Sequence, residues 1–171
     1  SHNTAVGTYA LATPTGANAN TAVGYYALKA ATTGGNNVGV GNSALTANTT
    51  GDGNVAVGKE ALKANTTGSN SIAIGLNALQ AQTTGGPNIA IGRDALQSCT
   101  SGAEHNVAIG YDVMEDLTTG DYNTAIGNYS AEELTTGSNN TAVGHKALEA
   151  ATTAIKNVAI GANALKVSTA D

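Results

Sequence analysis

Asn54-Val55-Ala56-Val57-Gly58-Lys59-Glu60-Ala61-Leu62-Lys63-Ala64-Asn65-Thr66-Thr67-Gly68-Ser69-Asn70 is one complete unit of a pattern that fills the chain. Its aliphatic-Gly step recurs at Gly7, Gly24, Gly41, Gly58, Gly75, Gly92, Gly110, Gly127, Gly144 and Gly161, each preceded by Val or Ile. The step is 17 residues everywhere except once, where it is 18, and the extra residue falls in Ala103-Glu104-His105. A fixed period of this size is the mark of a repeat architecture. Ten units span residues 3–171 as one domain, with Ser1 and His2 ahead of them reading as a tag remnant.

Numbered from the opening Asn, the unit reads Asn, Thr/Val/Ile, Ala, Val/Ile, Gly, two variable residues, Ala, Leu, three variable residues, Thr, Thr, Gly and two turn residues. Seventeen residues are too few for a strand-plus-helix repeat of 20 to 29 but suit one coil of a solenoid. β-Branched residues at positions 2 and 4, with glycine at position 5, predict a short strand ended by a corner, and Thr-Thr-Gly predicts a second corner. Ala-Leu at positions 8 and 9 suits a second short strand, with a helical turn as the other option. The expected fold is an all-β, parallel β-solenoid of ten stacked coils, about 45–50 Å long at one strand spacing per coil.

Position 4 is aliphatic in every unit, so Val6, Val23, Val40, Val57, Ile74, Ile91, Ile109, Ile126, Val143 and Ile160 are the expected structural core. Position 9 supplies a second apolar row with one hole, at Ala131. Position 13 is Thr from Thr15 to Thr169, and these threonines and the opening asparagines are expected to form ladders that satisfy turn backbone groups. With positions 2 and 4 inward, the Ala stripe at position 3 faces out and offers a close-packing surface. A coil with two or three full-sized apolar side chains, at roughly 1.5–3 kcal/mol each, barely offsets the ordering of its backbone. More burial is needed, which predicts a homo-oligomer, a trimer about a fibre axis, through the position 3 stripe or the position 8 alanines.

Composition excludes several function classes. Charged residues are 11% of the chain and the net charge is −5, so no basic stripe exists for nucleic acid or anionic lipid. The longest apolar runs are far short of the ~20 residues that span a bilayer, so no membrane insertion is expected. There is no Phe or Trp and only one cysteine, Cys99, which cannot form an internal disulfide. A catalytic site needs reactive groups converging in one cleft. His2, His105 and His145 do not converge in the pattern, Cys99 has no oriented base, and no enzyme activity or cofactor is expected. Thr50-Gly51-Asp52-Gly53-Asn54 resembles a calcium loop, but Asp returns at that position only at Asp121, so no metal is expected either. Asp112, Glu115, Asp116, Glu132 and Glu133 read as a solvated acidic face. Tyr25, Tyr26, Tyr111 and Tyr129, just after the glycine corner, are the candidate binding residues, because exposed rings stack on sugars or protein partners. The Thr pairs raise an alternative, an ice-binding solenoid with Thr ranks.

Asn54-Val55-Ala56-Val57-Gly58, Asn106-Val107-Ala108-Ile109-Gly110 and Asn157-Val158-Ala159-Ile160-Gly161 resemble the core motif of YadA-like heads in trimeric autotransporter adhesins. Asn20-Thr21-Ala22-Val23-Gly24-Tyr25-Tyr26-Ala27-Leu28 is also similar to phage tail-fibre repeats. The resemblance covers all ten units. It implies a left-handed parallel β-roll, trimerised, in an extracellular setting, on a bacterial cell surface or a virion tail fibre. The adhesin unit is a few residues shorter, which tilts the reading towards the tail-fibre branch. The expected function is a structural or adhesive segment of a surface fibre that meets a host glycan or protein. No ligand-binding residue transfers by motif.

Overall fold

The computed structural model describes residues 2–166. Each unit contributes one three-residue strand: β1 (Thr4–Val6), β2 (Thr21–Val23), β3 (Val38–Val40), β4 (Val55–Val57), β5 (Ile72–Ile74), β6 (Ile89–Ile91), β7 (Val107–Ile109), β8 (Thr124–Ile126), β9 (Thr141–Val143) and β10 (Val158–Ile160). All ten form a single sheet in sequence order, and every pairing is parallel. Register is in phase with the repeat: Val55, Ala56 and Val57 lie opposite Ile72, Ala73 and Ile74. The 18-residue step leaves this intact, because Ile89 still pairs with Val107, so the extra residue is absorbed in a corner. The chain is therefore a parallel β-solenoid in which like residues form columns.

Two expectations are corrected. The first concerns which strand face is inside. The position 3 alanines from Ala22 to Ala159, with Gly39 among them, are buried, whereas Val6, Val23, Val40, Val57, Ile74, Ile91, Ile109, Ile126, Val143 and Ile160 are half-buried or exposed. In a three-residue strand the middle side chain points one way and its neighbours the other. The interior decides which, because it is too narrow for β-branched side chains opposite leucine. Even a methyl group added at Gly39 would lie 3.2 Å from Leu28 Cγ. The core is thus Ala at positions 3 and 8 and Leu at 9, joined by position 12. The position 3 and position 8 stripes are interior, and neither is an interface.

The second correction is the expected second strand. Positions 6 to 11 are turns. Position 9 has φ of +47° to +56° in all ten coils, and position 7 is left-handed as well, as in Tyr26 (+59°) and Glu60 (+62°). No strand holds that backbone, which costs an L-residue roughly 1–2 kcal/mol. The stacked neighbours offset it through an alternating hydrogen-bond scheme. Leu28 and Ala30 donate to Ala44 and Thr46 of the next coil, while Lys29 and Ala31 donate three residues back to Tyr26 and Leu28. Glycine at position 5 is required by space as well as by φ: a Cβ on Gly58 would run into the carbonyl of Gly75 directly above it.

The predicted ladders exist. Asn20 Oδ1 accepts the Asn37 N–H (2.9 Å) while its amide donates to Gly34 O (2.9 Å), and Asn37 and Asn54 repeat the scheme in the next two coils. Position 13 hydroxyls donate to the carbonyl of the same position one coil on, as in Thr49 to Thr66 (3.0 Å). Thr169 lies outside the described residues.

Candidate functional site

Once the strand faces are assigned, the outer surface has three regions. Positions 2 and 4 form two adjacent columns of Val, Ile and Thr along the whole sheet. The side chains are partly covered by their own column neighbours, and Ile74 and Ile126 in mid-rod remain 38% exposed. The result is a largely aliphatic strip along the sheet, interrupted at position 2 by Thr4, Thr21, Thr124 and Thr141.

The second region is the corner that follows the position 5 glycine, where the candidate tyrosines lie. The structure brings them together in two groups rather than one. Tyr9 and Tyr26, both at position 7 in successive coils, have ring centroids 5.2 Å apart, and Tyr25 is 4.0 Å from Tyr26. Their spacing follows from the stack, since one strand separation is about 4.8 Å. The left-handed backbone at position 7 (φ +58° and +59°) fixes where both rings emerge. Contact with the Tyr26 hydroxyl holds the Tyr25 phenol above its ordinary pKa. Lys29 Nζ lies 4.3 Å from the Tyr26 centroid, a cation–π contact that nothing in the spacing of the tyrosines announced. Tyr111 and Tyr129 form the other group, edge to face at 5.3 Å. Arg93 lies 5.3 Å from Tyr111, Lys146 5.2 Å from Tyr129, and His145 is edge-on to Tyr129 at 6.0 Å. Here the cations are already paired: Arg93 with Asp94 at 2.8 Å and Lys146 with Glu149.

The third region is the Thr-Thr corner. Position 14 is exposed, as at Thr50, Thr67 and Thr84, whereas position 13 is half-buried with its hydroxyl spent on the next coil. One free Thr rank results.

The remaining reactive residues have structural partners. Cys99 is buried beside Leu96, and desolvation pushes its thiol up to about 12, which leaves no thiolate near neutral pH. His105, in the inserted corner, stacks on Tyr122 at 4.9 Å with planes 5° apart. Asp52 is a strut: its Oδ1 accepts the Gly35 N–H (2.6 Å) and its own N–H donates to Ser69 Oγ (3.0 Å). Asp121 repeats this with Glu104 and Ser138. Desolvation, joined by repulsion from Asp112, Asp116, Asp94 and Glu132, raises the Glu115 carboxyl, and Glu132 is raised for the same kind of reason. Among the described residues, no group of three His, Cys, Asp or Glu side chains is placed to hold a metal ion, and no helix is long and apolar enough to cross a membrane.

Sequence reading missed one interior pair. Unit 5 opens with Ser71, which has no amide to give Gly85 O, and Gln82 at position 12 supplies it instead, donating to Gly85 O (2.7 Å) and Ser71 Oγ (3.1 Å). The signal was there: the unit lacking the opening Asn is the unit with a longer amide at position 12. No protein-family model, curated protein or solved structure matches the chain.

Proposed function

We propose that the chain is a structural and adhesive segment of an extracellular fibre, a phage tail fibre or a bacterial adhesin head, in which three copies pack through their outward aliphatic faces. The observation that carries this is the pair of outward columns on the sheet, Val or Ile at position 4 of all ten strands and Val, Ile or Thr at position 2, with interior columns too narrow to take them. Most coils have a single Leu-sized side chain inside, so the outer columns are the larger reserve of apolar surface. Covering them against further copies supplies the burial that a single rod lacks, at roughly 25 cal/mol per Å² of apolar surface removed from water. The threefold arrangement follows the resemblance to trimeric adhesin heads. It leaves the tyrosine corners to meet a host surface, and no catalytic role is proposed.

Light scattering on the purified chain is the direct test, with three copies per particle expected. Val57→Asp combined with Ile74→Asp places charge on the outer columns and is expected to yield monomers whose β-rich circular dichroism persists, because neither side chain enters the interior. A monomeric wild type, or a trimer untouched by the double substitution, refutes the packing. No inhibition is expected in an ice-recrystallisation assay, since one free Thr rank remains.

A further inference from the structure

We infer that the tyrosine corner of the first two coils, Tyr9, Tyr25 and Tyr26 with Lys29, is a binding site for a carboxylated pyranose. The inference rests on the fibre reading only in taking that corner as accessible. Tyr9 is 56% and Tyr25 45% exposed, and the two rings flank the half-buried Tyr26. The three rings overlap rather than lie side by side, with centroids 4.0 and 5.2 Å apart and planes tilted by 36° and 35°, so the ring surfaces left for a ligand are those of Tyr9 and Tyr25. The C–H face of a pyranose is weakly electropositive and rests on the electron-rich face of a tyrosine ring, while its equatorial hydroxyls need polar groups at the rim. That rim exists: Thr8 and Asn42 occupy position 6 in the coils on either side of Tyr25, and both are exposed.

Charge selects the acidic sugar. No Asp or Glu occurs before Asp52, so Lys29 is the one formal side-chain charge of residues 1–51 and faces no carboxylate there. The remaining chain carries the other six Lys and Arg and all twelve Asp and Glu, a balance of −6 against +1. An anionic ligand is therefore repelled along most of the rod and attracted at this corner. The Tyr111–Tyr129 group is the internal contrast. Its rings are half-buried and meet edge to face, and Arg93 and Lys146 already have carboxylate partners, so it offers neither an exposed ring face nor a cation free of carboxylates.

The test is titration of the intact chain, followed by NMR and calorimetry, with two carboxylated probes, trigalacturonate and sialyllactose, and with the methyl ester of trigalacturonate. At least one acidic probe is expected to bind with millimolar or better affinity and to shift the Tyr25 and Tyr26 ring signals, and which one binds identifies the sugar class. Tyr25→Ala is expected to weaken that binding at least tenfold. Lys29→Gln is expected to weaken the acid about fivefold and leave the ester unchanged. Both side chains lie outside the core, so unchanged circular dichroism and an unchanged particle mass by light scattering separate loss of the site from loss of the fibre. Failure of both acidic probes to bind, equal affinity for acid and ester, or equal weakening by Tyr111→Ala overturns the inference.

Discussion

Coils 3 to 5 and coils 7 to 8 share a backbone but fill the same interior column in opposite ways. Position 12 is Asn48, Asn65 and Gln82 in the first group and Leu117 and Leu134 in the second, all buried. In both groups that side chain lies beneath the position 15 carbonyl. Gly51 O receives two amides, from Asn37 (2.8 Å) and Asn48 (3.0 Å), whereas Gly120 O receives one, from Asn106 (2.8 Å), with Leu117 packed alongside. A single donor is therefore enough. Where the opening Asn provides it, position 12 is free to be apolar; where Ser71 stands instead, position 12 has to be an amide. The column is constrained by the sum of two residues and not by either one.

The largest expected effect comes from the apolar group. Coil 8 carries Ala131 at position 9, and Leu134 is its full-sized buried side chain, so the leucine has moved from one interior column to the other. Leu134→Ala should cost about 2–5 kcal/mol, the range for leucine truncation in a core that cannot collapse. Adding Ala131→Leu should restore most of the loss, because the pair then matches Leu28 and Ala31 in coil 2. Thermal melts of the two single variants and the double one check this, and purely additive losses would refute the exchange.

Gln82→Leu is the next step down. It makes coil 5 look like coil 7 at position 12, but Gly85 O loses its donor, Ser71 Oγ keeps only the Asn88 N–H, and the Asn88 amide loses an acceptor. A buried polar group left unpaired costs about 1–3 kcal/mol. Ser71→Asn in the same chain should recover it by recreating the arrangement of coils 7 and 8. Asn65→Leu should cost under about 1 kcal/mol: Gly68 O keeps Asn54 as donor (2.8 Å), and the loss of the Asn65 amide from Asn48 Oδ1 (2.8 Å) is offset by removal of Asn65 Oδ1, itself a buried oxygen with no partner among the described residues. Denaturant midpoints for these variants should rank in that order.

The repeat period alone made the fold legible. Ten glycines in register fixed the number of coils, the parallel pairing and the site of the inserted residue. Side-chain direction was misjudged because hydrophobicity was read without size. Position 3 accepts only Ala or Gly, which marks a space-limited interior, whereas position 2 accepts Thr4, Thr21, Thr124 and Thr141 alongside Val and Ile, as a surface does. The left-handed leucines were not readable, since isolated leucine disfavours that backbone and the compensation comes from the coils above and below. The tyrosines were legible as candidates, but their division into an open group and a saturated one depends on Lys29, Arg93 and Lys146, whose positions relative to the rings only the stack defines.

The smallest expected effect is in pH dependence, and it again separates the two halves. Glu115 and Glu132, on the outside of the apolar coils, have carboxyl groups raised by desolvation and like-charge neighbours, and desolvation also raises Asp112. A folded-state pKa above the unfolded value means that the folded chain binds more protons in that window, so stability increases as pH falls towards the unfolded carboxylate range near about 4. Glu60 and Glu149 are shifted down by Lys63 and Lys146, and their contribution is lost only as pH falls below that range. The melting temperature should therefore rise modestly between neutral pH and about 5 and turn over below about 4. Hydrogen exchange resolved by coil should place the gain in coils 7 and 8. Glu132→Gln should flatten the rise while leaving coils 3 to 5 unchanged, and a melting temperature that falls steadily from neutral pH would rule out the stacked carboxylates as its source.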